Sequence, residues 1–200
     1  MIQPLWIIIA FLSGAIPFSF WLGKLFGRDI RNYGDGNPGA INAWKAGGYR
    51  LGILAILLDY LKGVVPVSLA NFSFGFAGRE LILVALLPVL GHAFSPFLRF
   101  RGGKAVAVTF GIWTGLTIWE GPTVLGILLG VFFYIQKVDG WSVMLAMFGF
   151  LFYLLARQFD SFILVIWFGN ILILAWKHRR DLRQRMALKP SIANFMRRGN

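Results

Sequence analysis

Residues 1–23 read MIQPLWIIIAFLSGAIPFSFWLG and contain no charged side chain. A helix needs about 20 apolar residues to cross a hydrocarbon core about 30 Å thick, and Pro4–Gly23 supplies them. No basic stretch precedes the run. Its cations, Lys24, Arg28 and Arg31, come after it, so it reads as a span and not as a secretory leader. Six more charge-poor segments follow: Leu51–Ala70, Leu81–Leu98, Ala105–Trp119, Pro122–Gln136, Gly140–Ala156 and Ser161–Trp176. The composition agrees. The 200 residues are 58% hydrophobic and 14% charged, against roughly 45–50% and 25% in soluble domains. Glycine (24) and Phe (20) are abundant, and there is no Cys, which excludes a disulfide scaffold, a thiolate metal site and a Cys nucleophile. No alternating barrel-type strand pattern is visible. The expectation is a single all-α integral-membrane domain over residues 1–200, built from seven transmembrane helices. The Ala105–Trp119 and Pro122–Gln136 pair could instead form a re-entrant hairpin beside five spans.

The net charge of +12 comes from 20 Lys+Arg against 8 Asp+Glu. No soluble basic module carries these cations, so they do not point to nucleic acid. With the N-terminus outside, seventeen of them, Arg197 and Arg198 included, fall on the inner face; Arg79 and Arg157 fall outside and Lys62 within a segment. The positive-inside rule then sets N-out, C-in, and a bacterial inner membrane is the expected home. The last segments hold only 15 to 17 residues, about 25 Å or less, so flanking groups or water enter at one end. Gly111/Gly115 and Gly126/Gly130, each four apart, read as close helix packing.

Three polar stretches share the inner face. The first centres on Asn32-Tyr33-Gly34-Asp35-Gly36-Asn37-Pro38-Gly39-Ala40-Ile41-Asn42. Its glycines permit positive φ and close backbone approach. Asn37-Pro38 reads as a helix N-cap and first helical residue, which would aim N–H groups at an anion, and Lys45 follows. The second, Gly91-His92 through Arg101-Gly102-Gly103-Lys104, places two glycines and a Lys at the opening of the next helix. It lacks the leading glycine and the Ser/Thr of a Walker A loop. The third runs from Trp176-Lys177-His178 to Arg185. Each alone fits a bland reading: ordinary caps, inner-face cations, or an anchor on anionic headgroups. Asp59 and Lys62, at i and i+3 inside an apolar segment, must pair or face a polar cavity. Together the stretches suggest one pocket with a phosphate-binding head and an apolar body, suited to a phosphorylated polar molecule combined with a lipid chain.

Several runs are specific in order and spacing: Gly14-Ala15-Ile16-Pro17-Phe18, Asp29-Ile30-Arg31-Asn32 leading into Gly34–Asn42, Asp59-Tyr60-Leu61-Lys62-Gly63, Leu90-Gly91-His92 through Lys104, Ser142, and His178-Arg179. The chain resembles the bacterial acyl-phosphate-dependent glycerol-3-phosphate acyltransferases, the PlsY family. The resemblance implies acyl transfer from acyl-phosphate to the 1-hydroxyl of glycerol 3-phosphate, giving lysophosphatidic acid and phosphate, by a monomer among membrane lipids with no metal or cofactor. It implies catalytic roles for His92, Lys104, His178 and Asp181. Substrate would be bound by Gly34, Asp35, Gly36, Asn37, Gly39, Asn42, Lys45, Arg101, Gly102, Gly103 and Ser142, with Asp59 and Lys62 in support. The HxxxxD pattern of the other acyltransferase class is absent, since Phe97 and Arg183 stand five after His92 and His178.

The chain departs from that family where it usually has Ser (Asp35), Thr (Ile41), Arg (Lys45), Gly (Ala105) and Asn (Asp181), and it ends basic where the family ends acidic. New carboxylates near phosphates oppose anion binding, and Lys gives up bidentate geometry. An active acyltransferase is the favoured reading, and weaker glycerol-phosphate affinity is one consequence these changes would have. A different hydroxyl acceptor with Asp35 as base, a non-catalytic family member, and a transporter or lipid-binding protein are the alternatives.

Overall fold

In this computed structural model, residues 2–198 are described, with side chains through residue 194; Arg197 and Arg198, counted above among the inner-face cations, have side chains outside that range. The regular structure among the described residues is helical, apart from one isolated antiparallel bridge, Gln136 to Leu188. They fall into two compact units, 1–122 and 123–200.

The first unit begins with a departure from the expected single span. Helices α1 (Ile2–Ala15) and α2 (Phe18–Leu25) are bent by 41° at Ile16-Pro17. Proline has no N–H to give the preceding turn, so the carbonyls ending α1 need other donors. Ser95 Oγ donates to the Ala15 carbonyl at 2.5 Å, and Lys62 Nζ to the Ile16 carbonyl at 2.9 Å. A 3-10 turn (Ile30–Asn32) leads to α3 (Ala40–Ser68), which starts eleven residues before the expected segment. Gly48, at φ 75° and ψ −167°, kinks it, a conformation open to glycine, and separates a short entry helix from the apolar span. Buried Ile30 packs with Ala40, Ala43, Ala46, Leu51 and Ala55 of this helix, which fixes the loop between residues 30 and 40 at both ends. After α3 a π turn (Leu69–Ser73) leads to α4 (Gly78–Ala93), a 3-10 turn (Pro96–Leu98) and α5 (Val106–Thr117).

Small residues let these helices approach. A Cβ on Gly14 would meet the Pro88 carbonyl, and one on Gly91 the Phe11 carbonyl, so α1 and α4 touch backbone to backbone. Gly111 faces the Tyr60 carbonyl and Gly115 faces Val67, so the expected close packing holds there between α3 and α5.

The second unit holds α6 (Glu120–Ile135, whose first turn lies at the boundary), α7 (Asp139–Ala156), α8 (Ser161–Lys177), α9 (Arg179–Leu182) and α10 (Pro190–Arg198). Gly149 faces Leu128 across α6 and α7, whereas Gly130 has open space where a Cβ would sit. Close packing therefore fails at Gly130. The segment after α9 folds back: Gln136 Oε1 accepts from the Ala187 N–H at 3.0 Å, the Lys189 N–H donates to the Ile135 carbonyl at 2.9 Å, and Trp141 Nε1 donates to the Gln184 carbonyl at 2.9 Å.

Three helical stretches are long and apolar enough to cross a membrane, Ala40–Ser73, Gly78–Leu98 and Asp139–Ala156, and the bent α1–α2 pair would be a fourth. Helices α5, α6 and α8 are apolar but shorter, at 12, 16 and 17 residues.

Candidate active site

In the first unit, Asp35 lies between the two glycine-bearing loops. Its Oδ1 accepts from the Asn37 N–H at 3.1 Å and from Asn42 Nδ2 at 2.9 Å; its Oδ2 meets Lys104 Nζ at 2.8 Å. Asn42 Nδ2 also donates to the Asn37 carbonyl at 2.8 Å. Lys45 lies alongside, its Nζ 3.0 Å from where a Cβ on Gly34 would sit. Gly34 and Gly36 both hold positive φ. Burial pushes the Asp35 carboxyl up, but the Lys104 ammonium and the Asn37 and Asn42 donors outweigh it, so its pKa lies below the ordinary carboxylate value. A depressed pKa keeps this contact formed at neutral pH and releases it only in acid. Arg101 is exposed nearby in sequence.

Two expected helix starts differ from their reading. Helix α3 opens at Ala40 with Gly39 as its cap, not at Asn37-Pro38. The N–H of Asn37 is committed to Asp35 and its carbonyl to Asn42, because the residue before a proline is held out of the helical region. Nor do Gly102-Gly103-Lys104 open α5 with free N–H groups. Ala105 stands at φ 64° before a helix that begins at Val106, and the Gly103 N–H donates to the His92 carbonyl at 3.0 Å. A Cβ on Gly102 would strike that carbonyl, and one on Gly103 the His92 ring. These glycines are small because His92 packs on them. Arg99 (φ 52°), Phe100 (φ 61°) and Ala105 are left-handed without being glycine, a clustering of backbone strain that suits a functional loop.

Beneath this loop, Asp59 and Lys62 pair at 2.8 Å with 2% side-chain exposure each, as the cost of an intramembrane charge requires. Ser19 Oγ donates to Asp59 Oδ2 at 2.5 Å, and His92 Nδ1 lies 3.8 Å from Asp59 Oδ1. Asp59, Lys62, His92, Ser95, Pro38 and Gly103 line a cavity of about 10 Å³, room for roughly one water. Sequence reading missed Ser19 and Ser95. A hydroxyl two residues after the proline break, in a charge-free run, was the available signal for Ser19.

In the second unit, α9 sits on the start of α7. A Cβ on Gly140 would lie 2.6 Å from Asp181 Cβ and 3.3 Å from His178 Cβ. His178 is 2% exposed and its Nδ1 is 2.9 Å from the Leu174 carbonyl. A carbonyl only accepts, so Nδ1 carries a proton. Ser142 is fully buried, and its hydroxyl donates to the Phe132 carbonyl at 3.2 Å. Gln136 was also missed. It is an uncharged polar residue at the end of an apolar run, and it is 3% exposed and pins the tail.

Among the described residues no group of three or more His, Cys, Asp or Glu could hold a metal ion.

A family model described as glycerol-3-phosphate acyltransferase matches residues 4–188. Glycerol-3-phosphate acyltransferase 1 of Thermotoga maritima is 40% identical over 192 residues, covering 89% of this chain and 95% of its own. The Deinococcus radiodurans protein of the same description is 36% identical, covering 90% of each chain. The crystal structure of PlsY, an integral membrane glycerol 3-phosphate acyltransferase, in its glycerol 3-phosphate form, matches with a TM-score of 0.85 at 27% identity, covering 98% of this chain and 99% of that one. Its lysophosphatidic acid form matches with a TM-score of 0.83 at 28% identity, covering 92% and 91%. Near-complete coverage in sequence and in structure places the chain in the glycerol-3-phosphate acyltransferase family.

Proposed function

We propose that this protein acylates the 1-hydroxyl of glycerol 3-phosphate with acyl-phosphate as donor, releasing lysophosphatidic acid and inorganic phosphate for phospholipid synthesis. The observation that carries the reading is the junction of the two glycine-bearing loops at Lys104, Asn42 and the Asn37 N–H, in a chain of this family. An ammonium, an amide and a backbone donor on one spot match the phosphate that both substrates carry.

The chemistry asks little of the protein beyond positioning and charge. Acyl-phosphate is an activated mixed anhydride, so the glycerol hydroxyl oxygen attacks its carbonyl carbon, the carbon–oxygen bond to phosphate breaks, and the departing phosphate takes the hydroxyl proton. Lys104, Lys45 and Arg101 offset the repulsion between the two anions and the charge that develops on the leaving group. Gly34, Gly36, Gly39, Gly102 and Gly103 let backbone and substrate approach. His92 is given the substrate-facing edge of the Gly103 loop. Asp59 and Lys62 are assigned to supporting His92.

The proposed setting is a monomer in the bacterial inner membrane with seven spans, N-terminus out, C-terminus and active face cytoplasmic. The four long or bent-pair apolar stretches, the three shorter apolar helices and the inner-face excess of Lys and Arg support it. Since the chain has no Cys, single cysteines introduced in the loops and labelled from either side will report that topology directly.

The function is tested with purified protein, labelled glycerol 3-phosphate and palmitoyl-phosphate. Labelled lysophosphatidic acid and free phosphate should form in equal amounts, and replacement of acyl-phosphate by acyl-CoA or acyl carrier protein should abolish the product. Absence of lysophosphatidic acid under all donors would sink the reading.

A further inference from the structure

We propose that Asp35 is a built-in occupant of the phosphate seat, a specificity-setting carboxylate that glycerol 3-phosphate must displace from Lys104 in order to bind. The inference rests on the acyltransferase reading above and deepens it.

The donors are the starting point. An ammonium, a side-chain amide and a backbone N–H converge on one carboxylate: Lys104 at 2.8 Å, Asn42 at 2.9 Å and Asn37 at 3.1 Å. A phosphate oxygen would ask for the same set. These donors are held in place independently of the carboxylate's charge. Ile30 and the entry turns of α3 anchor one loop in a buried cluster, and the packing of His92 on Gly102 and Gly103 anchors the other.

The two oxygens of Asp35 do separate jobs. Both bonds that shape the loop, from the Asn37 N–H and from Asn42, go to Oδ1, whereas Oδ2 faces Lys104. An asparagine could shape the loop equally well through its own Oδ1. Only the charged second oxygen engages the ammonium. The contact is also accessible, with side-chain exposures of 48% for Asp35 and 26% for Lys104, so water screens it and a ligand can reach it. A dianionic phosphate outbids a single carboxylate for the ammonium, and Lys45 beside Gly34 offers the incoming group a second cation. After displacement from Lys104, Oδ2 of Asp35 is left facing solvent while Oδ1 keeps its bonds from Asn37 and Asn42. When product leaves, it can recapture Lys104.

The substitution that isolates this role is Asp35→Asn, which keeps the Oδ1 acceptor and removes the charge. The probe is inorganic phosphate, read as thermal protection of the purified full chain in detergent. Asp35→Asn should shift half-maximal protection to about three- to tenfold lower phosphate, and should lower the KM for glycerol 3-phosphate by a similar factor with kcat within about twofold. In a Lys104→Met background, Asp35→Asn should change neither quantity. Should Asp35→Asn unfold the chain, Asp35→Ser is measured in its place.

Unchanged or weakened phosphate protection overturns the proposal. So does a collapse of kcat without tighter phosphate binding, which would make Asp35 a group acting on the hydroxyl. Protection is read without turnover. A wild-type chain that makes no lysophosphatidic acid therefore fails the function while the phosphate titration still reports on the seat.

Discussion

Lys62–Asp59 and Lys104–Asp35 share a chemistry and a separation of 2.8 Å, and differ in their surroundings. The first pair is walled in, at 2% exposure on each side. Its lysine also donates to the Ile16 carbonyl left open by the Pro17 break, and its aspartate accepts from Ser19. The second pair sits between two loops, half open to water. In the walled-in pair neither charge has anywhere else to go, so the contact is part of the fold. In the loop pair water is an available alternative for both partners, so the contact can be traded for a ligand. Separation alone does not distinguish structural from functional ion pairs; what surrounds them does.

The largest effect expected from this contrast is at Lys62. Lys62→Met leaves Asp59 buried without its cation and removes one of the two donors to the Ile16 carbonyl, the other being the Phe18 N–H. Unfolding of the detergent-solubilised protein should show a loss of about 3–5 kcal/mol. A stability within 1 kcal/mol of wild type, by the same conversion to free energy, would mean that the inner pair is as replaceable as the outer one. Lys104→Ala should do the reverse. Turnover should fall by about a hundredfold or more, the range for losing one preorganised charge-stabilising donor, with the melting transition nearly unmoved. Full activity would remove Lys104 from the site.

Gly103→Ala tests the join between the two regions. Its methyl would press on the His92 ring, so kcat should drop about tenfold or more through displaced His92, with stability lowered by about 1–3 kcal/mol from overpacking. A variant with normal kinetics would show that His92 does not need its present position. The smallest effect is at Ala105, held at φ 64°. Ala105→Gly relieves left-handed strain and should raise stability by about 0.5–1 kcal/mol, measured by the same melt, with activity preserved.

Much of the architecture was legible because the membrane imposes one-dimensional rules. A charge-free run of span length and glycines four apart are visible in the string itself. The pairing of Asp59 with Lys62 followed from the energy of an intramembrane charge. The local errors share a cause. Asn37-Pro38 has the composition of a cap, and Gly102-Gly103-Lys104 that of an anion cradle. In both places a partner that the cap or cradle pattern does not include takes up the backbone groups it left open: Asp35 and Asn42 within the same loop in one, and His92 at the end of the preceding helix in the other. Pro17 was likewise read as tolerated within a span, yet it breaks the helix, because Lys62 and Ser95 are present to satisfy the exposed carbonyls.

By itself the sequence determined that the chain is built of apolar helices and which family it belongs to, since hydrophobic length and motif order are properties of the chain read in line. Only the tertiary structure decided that Asp35 rests on Lys104, that two glycines make room for a histidine and that a lysine caps a broken helix. Each of these joins residues in different helices or loops, and such contacts depend on how those elements pack.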